Sequence, residues 1–163
     1  MRAFALIERR RDGAMEERHL PTAVSYPVFP TCYVCGSDNP LGLHVTFAPA
    51  PDGTARADYT AREEHVGWPE TIHGGIMFTL MDEALAWALC YAGLRGVTAR
   101  AETRFREPVR PGDRLAILGR VLEQDRKIVR ARAELRSGGD GGRLVAELDA
   151  IMFVKPAESG EPR

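Results

Sequence analysis

The sequence predicts an α+β fold in which one antiparallel β-sheet wraps around one long central helix, and three observations carry that prediction. A single helical segment, from about His73-Gly74-Gly75 to Tyr91, is apolar around its whole circumference apart from Asp82 and Glu83. A helix of that kind belongs in an interior. Four strand-like segments joined by short turns follow it as a meander. The 163 residues, 44% of them hydrophobic, suffice for one core and one domain.

Residues 1–30 read as an N-terminal extension, with a short helix around residues 14–18 and then a stretch punctuated by Pro21, Pro27 and Pro30. The domain proper is expected over residues 31–155. It opens on the turn-forming run Gly36-Ser37-Asp38-Asn39-Pro40. Residues 43–48 and 54–59 then read as two strands around Pro51-Asp52-Gly53, and a loop over 60–71 carries Gly67, Trp68 and Pro69. The helix is expected to stop at Gly93. Strands follow over 96–105, 115–123, 127–136 and 143–154, and the Gly-rich run 137–142 turns the chain into the last of them. The order is β-β-α-β-β-β-β, with a polar tail over 156–163.

Charge and cysteine content narrow the function classes. Twenty-two basic residues against 23 acidic ones give a formal net charge of −1, without the basic excess of a nucleic-acid binder. The N-terminus lacks the three-part pattern of a signal peptide. The most apolar stretch, 76–91, is shorter than the ~20 residues of a membrane span and contains two acids. A cytoplasmic protein without membrane or nucleic-acid partners is expected. Three cysteines make no disulfide framework. Cys32-x-x-Cys35 would need two further ligands to hold zinc, with His44 the nearby candidate, or a βαβ context to act as a redox pair. The reading adopted is a loop with two part-buried thiols, and no metal is expected.

The helix carries the chemistry. The first N–H groups of a helix lack internal partners and lie at the positive end of its dipole. At His73-Gly74-Gly75 no side chain would keep a ligand from those donors, so a thioester carbonyl could be polarised there. The alternative is a tight loop-to-helix entry. Asp82 is costly to bury and a poor helix former, so it needs a reason to be there. It reads as a general base or nucleophile, or else as a structural acid in a salt bridge or bonded to Thr79. Glu83 lies about 100° further round, on the side of Ile76 and Trp87.

Gly74 and Asp82 are eight residues apart, about 12 Å along a helix. A nucleophile must come within roughly 3 Å of the carbon whose oxygen the donor holds. If both act on one substrate, they come from two helices lying antiparallel across a two-fold axis. The spacing therefore predicts an isologous dimer with two composite sites. Thr98, after the helix, could orient a water beside the carboxylate, although a β-branched residue in a strand needs no function.

At these residues the sequence resembles the hotdog-fold thioesterases, especially the phenylacetate-pathway and human acyl-CoA thioesterase branch. The run from Gly67 to Gly75 (GWPETIHGG) resembles that branch's loop into HGG. Asp82 stands nine residues beyond His73, at the position of the family's catalytic acid. Gly96-Val97-Thr98, with Pro108 ten residues on, resembles the strand whose Ser or Thr assists the water, and the 32–43 segment resembles a lead-in found in bacterial members. The resemblance spans residues 32–154. It implies a hotdog fold, a homodimer or dimer of dimers, an acyl-CoA substrate and no cofactor. One departure stands out: Gly67 takes the place, six residues before His73, where some members carry Asn or Gln, and His65 is the substitute candidate.

The expected activity is hydrolysis of an acyl-CoA thioester. Gly74 and Gly75 would hold the carbonyl oxygen, His73 the loop or thioester, Asp82 the nucleophile or base, and Thr98 the water or intermediate. Arg100, Arg104 and Arg106 share one strand parity with Glu102, so they could pair with CoA phosphates or form a solvated or interface face. Arg110 and Arg143 are equally placed. The rival readings are a non-catalytic acyl-CoA-binding protein and a hotdog hydratase or dehydratase.

Overall fold

The computed structural model describes residues 5–9, 14–19 and 29–156. The elements run β1 (Ala5–Arg9), β2 (Met15–His19), β3 (Ala48–Pro49), β4 (Ala55–Thr60), a 3₁₀ turn (Glu63–His65), β5 (Val66–Trp68), β6 (Thr71–Ile72), α1 (Gly74–Tyr91), β7 (Leu94–Phe105), β8 (Arg114–Asp125), β9 (Ile128–Ser137) and β10 (Arg143–Pro156). The main sheet is ordered β2-β1-β8-β9-β10-β7, with β4 also paired to the first half of β8. Pairing is antiparallel throughout the meander, and among the described residues only the single β1–β8 bridge at Glu8 and Gln124 is parallel. This is a hotdog fold: one large sheet curled over one central helix.

Apolar residues at helical spacing explain how α1 sits. Met77, Leu80, Met81, Ala84, Leu85, Ala88 and Leu89 are all buried against the concave face of the sheet. Val129, Ala131, Ala133 and Leu135 of β9 and Leu148, Ala150 and Met152 of β10 meet them from the other side. Small residues let the layers approach closely. A Cβ at Gly119 of β8 would lie 2.4 Å from the Ala84 carbonyl oxygen. The opposite helix face, Thr79, Asp82, Glu83, Ala86 and Cys90 among others, is only half-buried. So α1 is not enclosed on all sides by its own sheet, and the half-open face is where its two acids lie. Among the described residues no helix is long and apolar enough to cross a membrane.

Three expectations are corrected. Residues 43–48 alternate in burial as a strand would, yet only Ala48–Pro49 joins the sheet. Leu43 and Val45 instead donate to the carbonyls of Tyr33 and Val34, so the segment pairs with the lead-in loop. The helix expected at 14–18 is a strand, because five residues do not sustain a helix alone and Met15–His19 finds a ladder with Ala5–Arg9. The loop expected at 60–71 holds a small β5–β6 hairpin that turns through Glu70, at φ 59°. Pro21, Pro27 and residues 157–163 of the expected tail lie outside the described residues.

Candidate active site

The β5–β6 hairpin delivers His73 to the start of α1. The His73 N–H donates to the His65 carbonyl at 2.8 Å, and its side chain caps the helix, with Nδ1 accepting the Gly75 N–H at 2.8 Å. Accepting at Nδ1 places the proton of a neutral ring on Nε2. Gly67 packs flat on this imidazole, and a Cβ there would fall 2.5 Å from His73 Cδ2. An Asn or Gln at position 67 would therefore displace the ring. The departure from the family pattern and the position of His73 are sterically linked.

This arrangement changes the expected roles of the two glycines. The Gly75 N–H is committed to the cap, so it does not point freely at a ligand as expected. The Gly74 N–H has no partner among the described residues. Gly74 faces the Phe105 ring, with a Cβ position 3.1 Å from Cζ, at a cleft also lined by Ile72, Met77 and Arg106. One N–H at a helix N-terminus is left to polarise an oxygen.

Asp82 lies two turns along, on the half-buried face. Thr98 Oγ1 donates to Asp82 Oδ1 at 2.6 Å, the short distance of a charge-assisted bond. Thr79, the alternative partner, donates instead to the Gly75 carbonyl at 2.8 Å, and no ion pair forms at Asp82 among the described residues. Thr98 reaches the acid because of a β-bulge. The β7–β10 register moves from Arg100↔Ile151 to Met152↔Thr98, which leaves Ala99 as an extra residue. Plain alternation puts Thr98 on the side of Arg100, but the bulge turns it to the helix side with Ala101 and Thr103. Thr103 Oγ1 on that side is buried and has no hydrogen-bond partner among the described residues.

Of the three arginines, Arg106 lines the Gly74 cleft, but Arg100 and Arg104 do not. Arg100 and Arg104 lie on the sheet face turned away from α1, and Arg104 pairs with Glu102 at 3.1 Å. Arg106, just past the strand, pairs with Glu147 at 2.5 Å, and Arg143 pairs with Glu107 at 2.7 Å. His65 is not there either. It is 8% exposed, and its Nδ1 pairs with the Tyr59 hydroxyl at 2.7 Å beside Arg62. Burial, reinforced by Arg62, lowers its pKa. It therefore cannot replace the missing Asn or Gln. Glu83 faces elsewhere, toward Trp87 and the two cysteines of the lead-in, where burial and then Glu83 push the Cys35 thiol well above the ordinary thiol range.

Comparison with known proteins agrees with this fold. A sequence model described as "Thioesterase superfamily" matches residues 70–143, from the end of the β5–β6 turn to the start of β10. The "Putative esterase" of Deinococcus radiodurans is 31% identical over 111 residues, 68% of this chain and 74% of that protein. Human "Acyl-coenzyme A thioesterase 13" is 27% identical over 105 residues, 63% of this chain and 74% of that protein. Among solved structures, the "Hypothetical Thioesterase Protein with Coenzyme A" from Streptococcus pneumoniae superposes with a TM-score of 0.65 at 23% identity, over 71% of this chain and 88% of that one. The chain belongs to the hotdog-fold thioesterase superfamily.

Proposed function

We propose that this chain hydrolyses an acyl-CoA thioester at sites shared between two copies. The observation that carries the reading is the separation, on one helix, of a Gly74 N–H without a partner among the described residues from a Thr98-bonded Asp82. Eight residues of helix place them about 12 Å apart, too far to act on one carbonyl within a chain. The open edge of the sheet supplies the means of pairing. β7 ends the strand order, so among the described residues one side of its 12 residues has no partner strand, and Val97 (68%), Phe105 (54%) and the neighbouring Phe153 (56%) are exposed around it. A long unpaired edge of this kind is open to strand addition. Pairing two β7 strands antiparallel would bring two α1 helices together in opposite directions.

In such a site the thioester oxygen rests on the Gly74 N–H of one copy while Asp82 of the other acts on the acyl carbon. The carboxylate either attacks that carbon or takes a proton from the water that does. The C–S bond breaks, the CoA thiolate leaves and is protonated, and one water is consumed for each acid and free CoA formed. The Thr98 hydroxyl fixes the rotation of the carboxylate. Acyl-CoA is the proposed substrate because the human relative is named for that activity.

Replacing Asp82 with Asn should cut thiol release from an acyl-CoA panel by about 10²–10⁴-fold and leave the circular dichroism spectrum unchanged. Near-normal hydrolysis by that variant overturns the assignment. Water addition to an enoyl-CoA, or tight acyl-CoA binding without turnover by the unsubstituted protein, would replace it with a hydratase or a binding protein.

A further inference from the structure

On the half-open face of α1, one residue beyond Asp82, a second group of side chains has chemistry the thioesterase reading does not use. Cys32 and Cys35 of the lead-in meet Glu83 of the helix, with one ligand atom of each within 4.8 Å of the others. Cys32 Sγ lies 3.8 Å from Glu83 Oε1 and 3.9 Å from Oε2. All three line a cavity of about 400 Å³ that also touches Phe29, Trp87 and Cys90. We propose that Cys32, Cys35 and Glu83 bind one zinc ion, or a similar borderline-soft divalent cation, whose fourth position is filled by water or a small donor in that cavity.

Three features of the geometry support this. The first is spacing. With Zn–S near 2.3 Å and Zn–O near 2.1 Å, a tetrahedral site has a sulfur-to-oxygen edge of roughly 3.6 Å. The Cys32–Glu83 distances exceed that by only a few tenths of an ångström, and a ligand atom of Cys35 lies within 4.8 Å of both, so rotamer changes at Cys35 would complete the polyhedron. The second is the loop. The backbone N–H groups of Val34 and Cys35 point at Cys32 Sγ at 3.4 and 3.5 Å and so fix the position of that sulfur. The turn closes through Gly36, where a Cβ would lie 2.4–2.5 Å from Pro30 and Cys32 backbone atoms, and the Gly36 N–H donates to the Cys32 carbonyl.

The third is the outer partner of the acid. Trp87 Nε1 donates to Glu83 Oε1 at 3.1 Å, fixing the carboxylate with both oxygens within 4 Å of Cys32 Sγ. Second-shell donors of this kind orient metal ligands. Two thiolates select zinc-like ions over magnesium or calcium. Binding releases the thiol protons to water, so the site forms as thiolates and metal together. His44, the nearest histidine in sequence, is engaged elsewhere, with Nδ1 2.9 Å from the Gly36 carbonyl oxygen. The ion would clamp the lead-in to α1 beside Asp82.

The test uses the full chain purified under reducing conditions without a metal-affinity step. Zinc counted by mass spectrometry should be close to one ion per chain. Cobalt added to chelator-stripped protein should give the thiolate-to-metal absorption of a site with cysteine ligands, and the metal should shield Cys32 and Cys35 from a thiol reagent. E83Q should weaken zinc binding at least about tenfold, and W87F by about 10–100-fold, while both keep the thiolate band. C32S/C35S should lose metal and band together. Should that double variant fail to fold, the cobalt spectrum and thiol shielding of the unsubstituted chain decide the matter. Sub-stoichiometric zinc with no thiolate band, or unchanged zinc affinity in E83Q, overturns the proposal.

Discussion

Replacing Thr98 with Val removes one hydroxyl and little else. Valine matches threonine in shape and suits a strand, so β7 and its bulge should persist. The lost interaction is the 2.6 Å bond from Thr98 Oγ1 to Asp82 Oδ1. Hydrogen bonds to charged groups contribute about 1.5–3 kcal/mol. If that bond holds the carboxylate in its reactive orientation, its loss appears in the barrier, at 1.36 kcal/mol for each factor of ten. The expected fall in kcat/KM is therefore about 10–150-fold. Thr98→Ser keeps the donor and should stay within about threefold of the unsubstituted chain. Stability should change little in either variant, because Asp82 is only half-buried and water can replace the lost donor. The assay is initial-rate thiol release on the best substrate of an aryl, short-chain and long-chain acyl-CoA panel. If Thr98→Val hydrolyses at the unsubstituted rate, the bond has no part in the chemistry and the reasoning fails.

Two further predictions concern the scaffold. Gly119→Ala should cost about 1–3 kcal/mol, because its Cβ would meet backbone at Ala84 that cannot rotate away, which lowers Tm by roughly 2–12 °C in a thermal melt. His65 titrates lower in the folded chain than its ordinary 6.5, because burial and Arg62 disfavour the charged ring. The unfolded chain therefore binds more protons as pH falls below 6.5, so stability held above that pH declines on acidification. Denaturant melts from pH 7.5 to 5 should show that decline in the unsubstituted protein and a flatter profile in His65→Gln.

Particular residues show what the sequence reveals and what it hides. α1 and the meander were legible because their apolar periodicities come from one face meeting one core, and each strand edge fell within a few residues of its expected place. The face of Thr98 was not legible. Alternation assigned it to the side of Arg100, and only the bulge at Ala99, set by pairing with β10, turns it toward Asp82. The capped state of the Gly75 N–H was also hidden, since it depends on the rotamer of His73. Cys32 and Glu83 lie 51 residues apart, and no local spacing joins them. An acid with no evident use in an apolar helix was the signal that marked Glu83. Residues 43–48 show the converse limit: their alternation reported burial correctly, but the partner was a loop and not the sheet.

The central claim, that Gly74 of one copy works with Asp82 of another, is tested most directly by complementation. Asp82→Asn removes the acid, and Gly74→Pro removes the N–H at the first helical position, where proline is tolerated. Each variant alone should be inactive, with a melting transition confirming that it folds. Exchanging subunits at equal amounts should make about half of the dimers mixed, each with one intact site of two, and so restore about a quarter of the unsubstituted activity. No activity in a mixture whose subunits have demonstrably exchanged would mean that both groups must come from the same chain, which contradicts the account.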